Sequence, residues 1–468
     1  MKGSSLYDAG HYAYMLHDGG FNMQNPSTIG GGFLAIHISP LFILTTALGH
    51  LLPLSRIEFY AAFVGIGHAL PGVAVFWLLV AGYGMTGPLQ RVLAALLALA
   101  FTFDSLALAI ARFPNLPMFF VGCAAMFLAA VALRRFTPVL VFFMLCLITR
   151  EDSGLHLFAL LSLYLLLRCW QGAKLREIRL VGGFAAAALS YSTSMFVLQS
   201  ELPQHSSLLA IEYLGQPPFA HVTAASLGTL FVGWVIYRGY VVFPAIFAFG
   251  WAIVRRNPQV CLGYAACLPW SLLNLAAVKQ LLSTLPSYYA FPFVLAGLWP
   301  LVGLRLVHRH GELGAVRREA VCGFALLTAA SFIPSALPHN PTEMDLPADF
   351  FSPPSFARQI NTDQALARLA TAKELGKQVV DESVAALVPE LYRPENILAL
   401  PERVARLDSL IYFADGFQSA LAKETADAAG LNYLYAVAGT AIRVASQQPV
   451  LRIDGLLAVT PPKISAPE

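Results

Sequence analysis

The stretch PMFFVGCAAMFLAAVALRRFTPVLVFFMLCLITREDSGLHLFALLSLYLLLR, residues 117–168, is the most informative part of this chain for its fold class. It consists of three apolar runs that are separated by two short polar breaks, at residues 134–135 and 150–152. Long apolar runs without charges are typical of helices that cross a lipid bilayer. This stretch therefore predicts a series of neighbouring membrane helices joined by short turns.

The same pattern extends on both sides of this stretch, from residue 57 to residue 337. Of the 468 residues, 57% are hydrophobic and only 12% are charged. We expect an all-α polytopic membrane bundle of about 9–11 transmembrane helices. The predicted spans are 57–83, 89–112, 114–133, 136–149, 152–168, 178–198, 240–254, 259–277, 285–304 and 319–337. Two further apolar stretches, 33–53 and 220–237, either cross the membrane or lie at its interface. No Walker-type Gly-rich loop is visible, which argues against an ATP-driven pump.

The basic residues predict how the bundle is oriented, because cytoplasmic loops carry an excess of Lys and Arg. Basic clusters occur at residues 134–135, 168–179, 255–256 and 305–318. Placing these clusters in the cytoplasm leaves the N-terminus, the turns at 104–118 and 150–152, the loop 201–225 and everything after Leu337 outside. The spans 136–149 and 152–168 are short, so they form either two crossings or a hairpin whose tip lies within the membrane.

The last part of the chain has a different composition. Of the 27 acidic residues, 16 follow Leu337 and only 11 precede it. Short β-rich runs alternate there with helical runs, which predicts a small α/β unit. We therefore expect an N-terminal external loop with interfacial helices (1–56), a transmembrane bundle (57–337), a Pro-rich linker (338–357) and an external α/β domain (358–468).

The first group of candidate site residues lies near the start, in YDAGHY (7–12). Asp8 and His11 are one helical turn apart, so a helix would place both on one face. The alternative is a solvated loop in which Asp8 caps a helix that begins near Ala9. A second candidate, His37 in LAIHISPLF (34–42), either faces a ligand from a Gly-rich loop or is a hydrogen-bonded structural residue.

The most concentrated group of charges is ITREDSGLH (148–156). A carboxylate here, Glu151 or Asp152, would coordinate a cation or activate a nucleophile. Arg150 would bind a phosphate or pair with Glu151. The alternative is a polar turn in which Asp152 or Ser153 caps the next helix.

Other ionisable residues have less specific surroundings. Asp104 lies within a predicted span, and either a structural or a site role fits it. The six cysteines lie in or beside apolar runs without a C-x-x-C pair, so neither a disulfide framework nor a metal site is indicated. Three basic residues near the predicted outer interface are candidates for binding a lipid-linked phosphate or for a purely structural position: Arg56, Arg238 and Lys279.

Several of these motifs occur in an order and spacing that resembles a known family. They are YDAGHY, HISPLF, TREDSGL, PSYYAFPFVLAGL (286–298) and the later VVDESVAALVPEL with LDSLIYFAD. Together they resemble the bacterial membrane-protein family called domain of unknown function 2079, over nearly the whole chain. The elements Arg-Glu-Asp-x-Gly and His-x-Ser-Pro are the most specific. That family is distantly similar to the GT-C glycosyltransferases, polytopic enzymes that use polyprenyl-phosphate-linked sugars.

The resemblance implies a site and a reaction. It implies a multi-pass protein of the bacterial inner (cytoplasmic) membrane, with the C-terminal domain on the extracytoplasmic side. The expected partners are membrane lipids, a polyprenyl-phosphate-linked sugar and an acceptor of unknown kind, with no nucleic acid. Asp8 is the candidate base, with Glu151 and Asp152 as further catalytic carboxylates. The expected substrate-binding residues are Tyr7, His11, His37, Arg150, Lys279 and Tyr288.

Two departures from the family pattern bear on these expectations. Relatives usually have a transmembrane helix before Tyr-Asp-x-Gly, so either the start codon is placed too late or this bundle works without its first helix. No Asp-x-Asp pair occurs in the first loop, so dependence on a metal is not implied, and no cofactor is assigned beyond a divalent cation as an open alternative.

The main alternative to a transferase is a transporter or flippase for a lipid-linked or small polar substrate, in which the same charged residues line a path. Transporters often contain repeated halves and interrupted helices. No internal repeat is visible here, and the candidate residues cluster on one side. A non-catalytic scaffold whose outer domain binds partners is a third interpretation.

Overall fold

The apolar runs of the chain form helices in the computed structural model. The structure describes residues 7–19, 37–111, 116–201, 213–278, 283, 285, 287–308 and 313–332 of this part. In the C-terminal part it describes 368–369, 372, 375–376, 378–380, 407–414, 419–438, 440–450 and 456–458. The described residues are mostly helical, and a small β-sheet follows in the C-terminal part.

The helices lie largely within the predicted apolar runs, but the number that cross a membrane stays a prediction. Their order is α1 (Tyr7–His17), α2 (Leu41–Leu51), α3 (Arg56–Trp77, continued by a π-helical turn Leu78–Gly82), α4 (Pro88–Thr102), α5 (Ser105–Ala111), α6 (Pro117–Ala132), α7 (Phe136–Thr149), α8 (Ser153–Trp170), α9 (Leu175–Ser200), α10 (Ala224–Tyr237), α11 (Gly239–Arg255), α12 (Leu262–Ala266), α13 (Leu268–Leu275), α14 (Pro292–Val307) and α15 (Leu313–Ala330). A short 3-10 helix, Ser287–Ala290, precedes α14. The predicted span 259–277 is broken into α12 and α13.

Two helices, α6 and α14, form the centre of the bundle. Almost every residue of both is buried, as expected for helices that are apolar on all sides. They contact each other, and the rings of Phe120 and Phe291 meet edge-on with centroids 5.7 Å apart. A Cβ on Gly122 would collide with the carbonyl oxygen of Gly67, so these glycines allow α3 and α6 to pack closely.

The outer surface of the bundle is strongly apolar. Large apolar side chains are exposed along α4, α10 and α11, among them Leu89, Val92, Leu96, Phe231, Val232, Ile253 and Val254. Contiguous apolar surface of this extent is rare on soluble monomers and is suited to contact with lipid. In the described part of the chain, three helical segments are long and apolar enough to cross a membrane: 58–82, 153–170 and 178–200. The number rises to five if each of two bent helix pairs is one span.

Both bent pairs have a charged residue at the break. Helices α4 and α5 meet at 53°, and Asp104 accepts a hydrogen bond from the backbone N–H of Ala107 at 2.7 Å. Asp104 therefore caps α5, which is the structural one of the two roles that the sequence left open for it. Helices α10 and α11 meet at 97°, and the buried Arg238 donates from Nε to the carbonyl oxygen of Leu285 at 2.9 Å.

The two ends of the bundle carry different groups of residues. At one end Arg134 lies within electrostatic range of Arg305. Nε of Arg255 lies 3.6 Å from a carboxylate oxygen of Glu319. Helix α7 leads from Arg135 at this end to Arg150, so the turn 150–152 and the segment around residue 37 that contacts it lie at the opposite end.

The C-terminal part contains a five-stranded sheet with the strand order β1-β2-β4-β3-β5. Its elements are β1 (Gln378–Val380), β2 (Ser409–Phe413), α16 (Ser419–Ala428), β3 (Tyr433–Val437), β4 (Ile442–Ser446) and β5 (Leu456–Ala458). Strands β1 and β2 are parallel, and the other neighbours are antiparallel. Ala422 and Ala426 of α16 pack on Leu410 and Tyr412 of β2. Residues 381–406 of the predicted α/β domain and the linker 338–357 lie outside the described residues, and the domain boundaries stay predictions.

Candidate functional site

The two most specific motifs of the sequence, His-x-Ser-Pro and Arg-Glu-Asp-x-Gly, contact each other. Nδ1 of His37 lies 2.7 Å from one carboxylate oxygen of Glu151, and the backbone N–H of Ile38 donates to the other at 3.0 Å. The hydroxyl of Ser39 donates to the carbonyl oxygen of Thr149 at 2.7 Å. Three hydrogen bonds thus join segments more than 100 residues apart, and Glu151 at their centre is only 4% exposed.

Arg150 pairs with Asp152 and not with Glu151, which corrects one expectation. Nε of Arg150 donates to one oxygen of Asp152 at 2.7 Å, and a terminal nitrogen of the guanidinium donates to the other. This two-point geometry is the one that a guanidinium makes with a carboxylate. Asp152 occupies the N-cap position of α8 without a side-chain capping bond, so its interpretation as a helix cap is wrong.

The charge of Asp152 is stabilised by its neighbours. Burial alone raises the pKa of this carboxyl, but the charge of Arg150 and hydrogen bonds from Arg150 and His156 outweigh burial and hold the pKa well below its usual range. Nε2 of His156, one turn into α8, lies 3.9 Å from Asp152. Asp152 is thus a carboxylate across the physiological pH range.

This shift predicts an acid-dependent stability. The pKa of Asp152 is lower in the folded than in the unfolded chain, so its contribution is complete above the unfolded value of about 4 and is lost as the pH falls toward the folded value. We expect it to amount to about 1–2 kcal/mol. Unfolding of the detergent-solubilised protein between pH 6 and pH 2 should therefore be steeper in wild type than in Asp152→Asn. Equal slopes would contradict the assignment, and Glu319→Gln, at the other end of the bundle, is the control.

An apolar cavity of about 230 Å³ lies beside Asp152 and His156. Its walls come from α8, α12, α13 and α14 and include Trp270 and Pro292. The ring of His156 meets the rings of Trp270 and Phe291 edge-on, at 5.1 and 4.8 Å between centroids. A cavity with apolar walls and one polar end suits a ligand with an apolar tail and a polar head. Sequence reasoning missed Trp270, because an aromatic residue in an apolar run looks like any core residue.

The N-terminal segment forms the helix α1, which packs against α2 and α3. Asp8 lies inside this helix, so the capped-loop alternative is wrong. Tyr12 is buried and lies within electrostatic range of Arg150. Asp8 precedes Tyr12 by four residues and therefore shares its face of the helix. Side chains of α1 are described from Tyr12 onward, so those of Tyr7, Asp8 and His11 lie outside the description.

The remaining candidates are separate from this cluster or outside the described residues. Arg56 pairs with Asp18 and lies over the ring of Tyr14, 5.3 Å from its centroid. Lys279 is outside the described residues, and of Tyr288 only the backbone, in the 3-10 helix before α14, is described. Within the described residues no group of three or more His, Cys, Asp or Glu side chains is arranged to hold a metal ion.

The glycine of the Arg-Glu-Asp-x-Gly motif has a packing role. A Cβ on Gly154 would collide with the carbonyl oxygen of Ala188 in α9 and would lie 2.6 Å from the hydroxyl of Ser192. Gly154 therefore lets α8 and α9 approach closely beside the charged turn.

We expect Gly154→Ala to lower the free energy of unfolding by about 1–3 kcal/mol, because the added methyl group has no space. The measurement is thermal unfolding in detergent. Gly183→Ala in α9 is the matched control, because no atom lies within 4 Å of its added Cβ. A Gly154→Ala variant as stable as this control would show that the helices can separate without cost.

No family model matches the chain, and neither a curated protein nor a solved structure matches it.

Proposed function

We propose that this protein is a GT-C-like glycosyltransferase of the bacterial cytoplasmic membrane, which moves a sugar from a polyprenyl-phosphate donor to an extracytoplasmic acceptor. One arrangement of contacting residues supports this proposal. The Glu151–His37 contact and the Arg150–Asp152 pair lie together at one end of an apolar bundle, where Asp152 also lines an apolar cavity.

This arrangement provides for both parts of a lipid-linked donor. The isoprenoid chain requires an apolar environment, which the cavity between α8, α13 and α14 supplies next to the polar turn. The phosphate requires a cation, and Arg150 is held in a defined orientation by Asp152. A guanidinium that is already oriented stabilises the negative charge that grows on a departing phosphate at little reorganisation cost.

The proposed reaction is a displacement at the anomeric carbon. The hydroxyl oxygen of the acceptor forms a bond to that carbon, and the bond from the carbon to the phosphate oxygen breaks. The electron pair of the broken bond leaves with the polyprenyl phosphate. Asp8 takes the proton of the acceptor hydroxyl. Asp8 shares a face of α1 with Tyr12, and Tyr12 lies within electrostatic range of Arg150, which supports this role for Asp8.

Glu151 and His37 have a positioning role in this scheme. Both carboxylate oxygens of Glu151 accept hydrogen bonds from the 37–38 segment. Glu151 therefore fixes the orientation of the His37 ring and holds the chain before α2 against the charged turn. The C-terminal α/β domain, on the extracytoplasmic side, would select or position the acceptor.

The second candidate function is a transporter or flippase, and the bent pairs α4–α5 and α10–α11 are the observation in its favour. Interrupted helices often form substrate sites at mid-membrane in transporters. However, the charged residues at these breaks are engaged in the fold: Asp104 caps α5, and Arg238 binds the carbonyl oxygen of Leu285. The transferase is therefore the better-supported proposal.

The test is donor cleavage by the purified full-length protein in lipid nanodiscs. A panel of polyprenyl-phosphate sugars is supplied, and released polyprenyl phosphate is measured for wild type and for Asp8→Asn, Glu151→Gln and the control Glu319→Gln. We expect cleavage that both site variants impair and the control retains. Cleavage that is equal in all four proteins would refute the site. Movement of intact donor across a vesicle membrane, without cleavage, would support the transporter instead.

A further inference from the structure

The hydroxyl of Tyr191 is a buried polar group that the fold does not explain. Tyr191 lies in α9, and its ring packs against the core of the bundle. Its hydroxyl oxygen is buried and has no hydrogen-bond partner in the described part of the chain. A buried hydroxyl without a partner destabilises a fold, so each such group requires an explanation.

The position of this hydroxyl connects it to the site. Helix α9 packs against the start of α8 through Ala188 and Ser192, which surround Gly154. Tyr191 follows Ala188 by three residues and therefore lies on the same side of α9. Its hydroxyl is within electrostatic range of both Glu151 and Asp152. The close approach at Gly154 thus places the side of α9 that carries Tyr191 against the start of α8, next to the carboxylate-bearing turn.

The nearby carboxylates already have donors of their own. Glu151 accepts from His37 and from the N–H of Ile38, and Asp152 accepts two bonds from Arg150. The Tyr191 hydroxyl is an additional donor in this cluster. Two carboxylates within electrostatic range of it make the location unfavourable for an anion, whereas a neutral polyol is not repelled by them.

These observations, together with the proposed function on which this step rests, identify a sugar subsite. We infer that the hydroxyl of Tyr191 donates a hydrogen bond to a hydroxyl oxygen of the sugar carried by the donor. Tyr191 is then a substrate-binding residue that contacts the sugar, while the phosphate lies toward Arg150.

The test compares binding of a probe with and without its sugar. The probes are citronellyl phosphate and its glucose, mannose and galactose conjugates, titrated into full-length protein in nanodiscs. We expect Tyr191→Phe to weaken binding of the conjugate that wild type prefers about fivefold to tenfold, the effect of one hydrogen bond. Binding of citronellyl phosphate itself should stay within about twofold, since its phosphate makes no bond to Tyr191.

A stability measurement separates a binding role from a structural one. Tyr191→Phe should melt at the wild-type temperature or above it, because it removes an unpaired hydroxyl without changing the ring. Tyr237→Phe, at an exposed tyrosine of α10, is the matched control for both measurements.

Several results would overturn the inference. If Tyr191→Phe weakens binding of citronellyl phosphate as much as binding of its sugar conjugate, the hydroxyl contacts the phosphate or the substitution disturbs the structure. A lower melting temperature with unchanged binding would show a partner within the fold, and no change in either quantity would remove Tyr191 from the site. If wild type binds citronellyl phosphate but none of its conjugates, or binds no probe, the proposed function fails and the inference fails with it.

Discussion

Replacing Asp8 by Asn is expected to lower donor cleavage 10²–10⁴-fold, the range that general acid–base catalysis typically contributes. Asn has nearly the same size and shape as Asp but cannot take up the proton of the acceptor hydroxyl. Helix α1 is held in place by Tyr12, Met15 and Leu16, which are buried against α2 and α3. The melting temperature should therefore not change.

The kinetic experiment separates catalysis from binding. We expect the loss to appear in kcat, with KM for the donor within about threefold of wild type, because a base acts in the transition state. Asp18→Asn is the matched control: it removes another carboxylate of the same N-terminal segment, which pairs with Arg56 and lies at the other end of α1. Cleavage by Asp8→Asn within threefold of wild type would exclude Asp8 as the base.

Much of the helical architecture follows from local sequence. The run 136–149 is apolar between Arg135 and Arg150, and the helix α7 begins and ends at the same residues. Local sequence does not show whether lipid or other helices cover the apolar face of a given helix. Helices α6 and α7 are similarly apolar, yet α6 is buried among other helices and α7 exposes Phe136, Leu140, Val141 and Met144. Lipid and a protein core are equally apolar, so composition does not distinguish them.

The candidate site was predictable as a set of residues but not as a set of contacts. A charged triplet in an apolar chain identifies Arg150, Glu151 and Asp152 because charges are costly there. The partner of each charge depends on the backbone of the turn, which places the guanidinium against Asp152 and turns Glu151 toward His37. Helical periodicity carries no information on a pairing across 114 residues.

The contact between Glu151 and residues 37–38 determines whether the site assembles. Both oxygens of this buried carboxylate accept hydrogen bonds, so Glu151→Ala leaves the N–H of Ile38 and Nδ1 of His37 without their acceptor. Hydrogen bonds to charged groups contribute about 1.5–3 kcal/mol each, and buried groups left without a partner cost more than the bond itself. We expect the free energy of unfolding to fall by about 3–5 kcal/mol, the largest stability effect of any substitution considered.

Hydrogen exchange and a double-mutant cycle localise that effect. Exchange of the Ile38 amide should become faster in Glu151→Ala, because its acceptor is gone. His37→Ala and the double variant complete the cycle, and a coupling of about 1.5–3 kcal/mol between the two side chains is expected from one charge-assisted hydrogen bond. Glu319→Ala removes a partly exposed carboxylate that pairs with the largely exposed Arg255 and accepts a hydrogen bond from Nε1 of Trp251 at 3.3 Å, so it should cost less than about 2 kcal/mol. If Glu151→Ala costs no more than Glu319→Ala, the 37–39 segment is held by Ser39 and its packing alone, and Glu151 is free to act as a catalytic group in its own right.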